Sequence, residues 1–314
     1  MYKIFFNTLI QLIAIFLTIK YFIFDNISEE KLSLILSPYV VLLFLFLVLL
    51  KFLISYLFYQ ILNTISGKDI PFFNTSEIFL FGGVINQLIP GLGYVFKYYK
   101  LRSNAGITIS SFTVSQGIWS LKSFSAYIFL ALLCGFIYIH SFDFLYSFLL
   151  LFLFITLALT FFYSRKYLLK FIKEKSLMIN RLNNLLNELK KIKEIIKYNF
   201  KKFIFIFLGF IILSLLECIA FYIGLIIFGA DMSFMTSNYI YILSSLSSVI
   251  ILINYLGFFE LILLAAASII APNFNDMLIF GISYRIINTS ALIFTAVSSS
   301  ILVFILKKRA NLKN

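Results

Sequence analysis

Apolar stretches close to the length that crosses the ~30 Å hydrocarbon core of a bilayer recur from one end of this chain to the other. A soluble core could not hide them, because 62% of the 314 residues are hydrophobic and only 12% are charged. In hydrocarbon every backbone polar group needs an internal partner, which leaves helices and closed barrels. The runs are continuous rather than alternating, so a barrel is excluded. The chain is predicted to be an all-α polytopic membrane protein.

Charge gives the first view of its organisation. Of the formal net charge of +13, +9 sits in residues 164–202, where 12 Lys/Arg face 3 Glu. That is the pattern of a cytoplasmic loop lying against anionic lipid, not of a nucleic-acid-binding surface. Within it Leu182, Leu185, Leu189, Ile192 and Ile196 recur at helical spacing. The expectation is an amphipathic cytoplasmic helix joining two halves, 1–163 and 203–306, of a single transmembrane domain spanning 1–314. The C-terminal end, Lys307-Lys308-Arg309, is also basic. Both termini are expected in the cytoplasm of a cell with this protein in its inner membrane.

Full spans are expected over 4–24, 32–50, 107–139, 144–163, 203–229 and 278–306. The first has no small-residue cleavage site and reads as a span rather than a removed signal. Lys51 closes the second span as a snorkelling cation at the membrane boundary, with a headgroup contact as the other reading, and residues 52–65 look interfacial. Cys134 and Cys218 lie in apolar segments and His140 has no neighbouring ligand, so neither a disulfide frame nor a metal or other cofactor is implied.

One stretch does not fit a simple span. Residues 77–96 are apolar but are read as broken at Gly82-Gly83 and again within Asn86-Gln-Leu-Ile-Pro90-Gly91-Leu-Gly93, with Lys97, Lys100 and Arg102 following. Proline removes a backbone donor and glycine eases irregular backbone. At membrane depth such a break needs cover by protein or water, as in re-entrant loops. A hairpin over 76–97 entering from the cytoplasm is expected. A second break, Asn254-Tyr-Leu-Gly257, splits 238–271, giving either a hairpin entering from outside or two further spans. The two solutions are six spans with two hairpins, or eight spans. Lys97 to Lys122 and Glu260 to Arg285 are both 25 residues, compatible with an inverted pseudo-repeat of the kind that frames a transporter's midplane site.

Cations inside spans are costly, by roughly 2.5–3.5 kcal/mol on insertion scales, and are functional candidates by default. Lys122 and Arg285 qualify. Each could bind an anionic phosphate headgroup, with Glu217 or Glu260 as counter-charge; the structural alternative is an ion pair such as Glu260–Arg285. Asn86, Pro90, Gly91 and Gly93 would shape a cavity whose backbone donors suit a phosphate. There is no nucleotide loop and no Ser/His/Asp group, and no enzymatic activity is expected.

The pattern Asn86-x3-Pro90-Gly91-x-Gly93-x3-Lys97, followed by Leu101-Arg102, resembles the first signature of the lysylphosphatidylglycerol synthase transmembrane, or flippase-like, family. Leu256-Gly257-x-x-Glu260 with Arg285 further on is similar to its second signature, and Lys51 stands where the family tends to have an arginine. Tyr94 replaces an acidic residue of that pattern, Lys97 and Lys51 replace arginines, and Asn254-Tyr255 replaces a Gly-Gly pair. The resemblance covers roughly 5–306 and implies a lipid-translocating membrane domain without the aminoacyltransferase domain of bifunctional members. On it, Asn86, Pro90, Gly91, Gly93, Lys97, Arg102, Lys122, Gly257, Glu260 and Arg285 are the headgroup-binding candidates. The expected partners are membrane lipids, either an anionic phospholipid or a polyprenyl-phosphate-linked substrate. Self-association or pairing with an envelope-synthesis enzyme stays open. The expected function is a flippase-type lipid transporter, the alternative a non-transporting accessory protein of envelope lipid or glycan synthesis.

Overall fold

The structure, a computed structural model, describes residues 37–89, 91–137, 194–195, 197–229, 232–250 and 274–311. The expected spans over 4–24 and 144–163, most of the basic loop, and the second break with Gly257 and Glu260 lie outside the described residues, as does Pro90. The described residues form seven helices and no strand. They are α1 Pro38–Ser66, α2 Phe72–Leu88, α3 Leu92–Ala105, α4 Ile109–Ile137, α5 Phe200–Ile227, α6 Phe234–Ile250 and α7 Phe274–Asn311. Three helical stretches, Pro38–Ser66, Phe200–Ile227 and Ser283–Arg309, are long and apolar enough to cross a membrane.

α1 corrects the expectation at Lys51. Proline is tolerated in its first turn, and nothing after it breaks a helix until Gly67, which ends it at φ 63° with its N–H bonded to the Asn63 carbonyl at 3.0 Å. The helix therefore runs for 29 residues straight through Lys51, about 44 Å at 1.5 Å per residue. Residues 52–65 are its second half, not an interfacial segment. A charged residue carries no signal to stop a helix; only the cost of its surroundings decides where it sits.

The hairpin expected over 76–97 is present as α2 and α3, but with one break rather than two. α2 continues through Gly82-Gly83, since glycine in a helix costs only about 1 kcal/mol relative to alanine. The chain turns at Ile89–Gly91, where Gly91 takes φ 85°. The glycines set the spacing of the two arms instead. A Cβ on Gly93 would overlap the Gly82 carbonyl oxygen and come within 2.6 Å of the Asn86 Cβ, and one on Gly82 would lie 2.5 Å from Cε of Lys97. Gly93→Ala is therefore expected to destabilise the protein by about 1–3 kcal/mol, the usual cost of overpacking. Gly117→Ala on α4, where a Cβ meets nothing within 4 Å, should leave thermal unfolding in detergent unchanged or slightly raised.

The long helices pack around this hairpin in fixed directions. Leu43 lies over Gly224 and Leu57 over Gly209, so α1 runs antiparallel to α5. Trp119 meets Phe210 at 4.8 Å and Tyr127 meets Glu217, so α4 runs parallel to α5. These are the relative directions expected of the second, third and fifth spans. α2 lies antiparallel on α7, with Ser76 Oγ 3.4 Å from Ser299 Oγ and Gly83 facing Leu292. Phe58, Phe79, Trp119 and Phe210 form an aromatic knot where α1, α2, α4 and α5 meet. Outward, Leu42, Leu45 and Leu49 of α1, Phe205 and Ile212 of α5, and Val297, Ile301 and Phe304 of α7 are exposed. Apolar rows on the outside of a bundle with a packed interior belong in lipid.

Candidate functional site

Two groups of residues stand out, and both are built by the helix packing. The first is the hairpin. The Asn86 side-chain oxygen accepts the Gly91 N–H at 2.8 Å, closing the turn. Here Asn86 and Gly91 shape the break by bonding each other. Lys97, on α3, threads its stem over Gly82 and is only 7% exposed. Its ammonium lies 4.3 Å from the Phe79 ring centroid, 5.4 Å from Tyr94 and 6.0 Å from Phe58. Ring faces attract a cation but accept no conventional hydrogen bond, and no carboxylate meets this ammonium among the described residues. Arg102 sits further along α3 on the exposed side, donating to the Tyr98 hydroxyl at 3.3 Å.

The second group is a charged centre near the middle of α1, α4 and α5 and in the first third of α7. Glu217 of α5 accepts the Tyr127 hydroxyl of α4 at 2.7 Å, and Ser245 of α6 shares a hydrogen bond with that phenol. The phenols of Tyr241 on α6 and Tyr284 on α7 lie within electrostatic reach of the same carboxylate. Lys51 of α1 feels both Glu217 and Arg285 of α7. Five helices thus send one ionisable or phenolic group each, or two, into one place. Among the described residues it holds two cations and one carboxylate. Charges at this depth are expensive unless paired or ligand-bound.

The hairpin reaches toward this centre. Ser76, Leu80, Gly83 and Gln87 make one face of α2, spaced by four, three and four residues. Ser299, Ala296, Leu292 and Asn288 make the facing stripe of α7. Contacts join Ser76 to Ser299, Leu80 to Leu292 and Ala296, and Gly83 to Leu292. Continuing that register sets Gln87, in the last turn of α2, abreast of Asn288, one turn from Arg285 on α7.

Lys122 is not brought into the centre. Its side chain runs back along α4 to donate to the Phe203 carbonyl at 3.3 Å and lies over the Phe207 ring at 4.7 Å. Conversely, Tyr127 joins the centre with no sequence signal, Glu217 was weighed only as a counter-charge, and Lys51 was weighed as a headgroup contact but read first as a snorkelling cation. The available signal was a charge in the middle of an apolar run, weighed for Lys122 and Arg285 and equally present at Glu217.

The fold and the centre define a multi-pass helical membrane protein with ionisable groups held at mid-bundle. The family model of the lysylphosphatidylglycerol synthase TM region matches residues 7–305, and the chain belongs to that family. The family places it among membrane proteins of lipid-related processes. No curated protein and no solved structure matches the chain.

Proposed function

We propose that this protein is a flippase-type lipid transporter of the inner membrane, with both termini in the cytoplasm, and that it moves an anionic phosphate headgroup between leaflets without chemical change. The observation that supports this reading is the centre at which Lys51 of α1 lies within electrostatic reach of both Glu217 of α5 and Arg285 of α7. A phosphate accepts hydrogen bonds from two cations at once. Lys97, buried among aromatic rings in the hairpin, offers a further contact between the aqueous face and the centre. The hairpin break is the kind of interrupted helix at which transporters hold their substrates.

Purified protein in liposomes tests this. Translocation of a fluorescent anionic phospholipid should exceed that in protein-free vesicles by at least about tenfold, against little gain for a zwitterionic lipid, and Arg285→Ala should abolish the difference. A rate gain of tenfold corresponds to about 1.4 kcal/mol of barrier, a small demand on two buried cations. Folded protein that moves no anionic phospholipid and no polyprenyl-phosphate-linked lipid would leave an accessory role beside an envelope-synthesis enzyme as the better reading.

A further inference from the structure

The seam between α2 and α7 ends in polar groups that the protein itself does not satisfy. At its base the seam is closed: Ser55 and Ser76 hydroxyls meet at 2.8 Å, Ser76 meets Ser299, and Ser300 donates to Glu77 at 2.8 Å. The middle is apolar, with Leu80, Leu292 and Ala296 buried together. Continuing the register of Ser76 on Ser299 and Gly83 on Leu292 sets Gln87 abreast of Asn288. The side-chain oxygens of both are buried without a hydrogen-bond partner, and so is the Thr289 hydroxyl on the same face of α7. Three unsatisfied oxygens in one rung is a concentration that native interiors avoid unless water or a ligand completes it.

Chemistry narrows what completes it. Two of the orphaned atoms are amide oxygens, which only accept, so the missing group must bring hydrogen-bond donors, while the Thr289 hydroxyl can donate or accept. An ammonium could supply donors, but Arg285 stands one turn away on the same stripe and Lys51 acts on that arginine's surroundings, so a further cation is repelled. A second anion would face the unsatisfied oxygens. Uncharged hydroxyls remain, and a primary amide, with a donor and an acceptor side by side, matches adjacent hydroxyls of a polyol.

We infer that Gln87, Asn288 and Thr289 form a subsite for the hydroxyl groups of a polyol headgroup whose phosphate faces Arg285. This rests on the transporter reading for its purpose, and it narrows the substrate to a lipid with an uncharged polyhydroxylated head.

Binding to the full-length protein in detergent tests the subsite without requiring transport. The probes are dihexanoyl phosphatidylinositol, which carries a polyol, and dihexanoyl phosphatidic acid, which carries phosphate alone. The wild-type protein should bind the first at least about tenfold more tightly. Gln87→Met and Asn288→Leu, both close in shape to the originals, should each reduce that preference to below about threefold while leaving phosphatidic acid binding unchanged, because only the hydroxyl contacts are lost. Equal binding of the two lipids by the wild type would mean that the rung holds water only, and equal weakening of both lipids in the variants would mean a purely structural rung; either overturns the subsite. Competition by free inositol 1-phosphate at the lipid's own concentration would assign the rung to a soluble ligand and overturn the lipid part. Failure of translocation in vesicles leaves these binding results standing, so the two readings fall separately.

Discussion

Replacing Glu217 by leucine is expected to destabilise the protein more than any other single change at the centre. The carboxylate accepts the Tyr127 hydroxyl at 2.7 Å and is the negative charge that acts on Lys51. Removing one partner of a buried charge pair costs about 3–5 kcal/mol, because the other charge stays behind uncompensated. The stranded Tyr127 hydroxyl adds about 1–3 kcal/mol where no substitute acceptor is in reach. A fall in Tm on the order of 10 °C in detergent would follow. The effect has a built-in control: in the Glu217→Leu background, Lys51→Met should recover much of the loss, since the cation it removes is the one left unpaired. Double-mutant coupling of this sign is the mark of residues in contact or in one network. Additive losses, or a Glu217→Leu protein that melts like the wild type, would show that the carboxylate does not hold the centre together.

Lys51→Ala is expected to have the largest effect on transport. On the proposed reading its ammonium contacts the phosphate where water is scarce, and truncating one partner of such a charge pair costs about 2–5 kcal/mol. At the middle of that range the translocation rate would fall by roughly two to three orders of magnitude. Lys51→Arg should keep most of the rate, because a guanidinium supplies the same charge and a fork suited to phosphate. Unlike Glu217→Leu, Lys51→Ala leaves an anion that still accepts the Tyr127 hydroxyl, so the protein should stay folded while losing rate. A folded Lys51→Ala protein with unchanged translocation would remove Lys51 from the substrate path.

The sequence made the fold class plain because hydrocarbon permits so few solutions: long uninterrupted apolar runs leave helices alone. The turn at Ile89–Gly91 was equally legible, since Pro90-Gly91 inside an apolar run has few other uses. Gly82 was misread as a second break because a glycine that opens space for a neighbouring helix looks the same, in one dimension, as a glycine that ends one. What distinguishes them is the Gly93 backbone and the Lys97 stem lying against it. Lys51 was harder. A lysine after a largely apolar run fits a membrane boundary, and its place in the charged centre follows only from Glu217 and Arg285, far along the chain. Tyr127 carried no signal at all among nineteen tyrosines; only the approach of α4 to α5 gives it a carboxylate. Arg285 was legible from its depth in an apolar run and from its spacing to Glu260, and the structure places it within electrostatic reach of Lys51.

The most direct measurement maps where a headgroup sits. An anionic phospholipid with a photoreactive group in its headgroup would be incorporated with the wild-type protein in bilayers, illuminated, and the adducts located by mass spectrometry. Adducts on Tyr127, Ser245 and Tyr284, around Lys51 and Arg285 in the middle of the bundle, are the expected result. Adducts confined to the exposed cations Lys100, Arg102, Lys307, Lys308 and Arg309, with none at the centre, would contradict it.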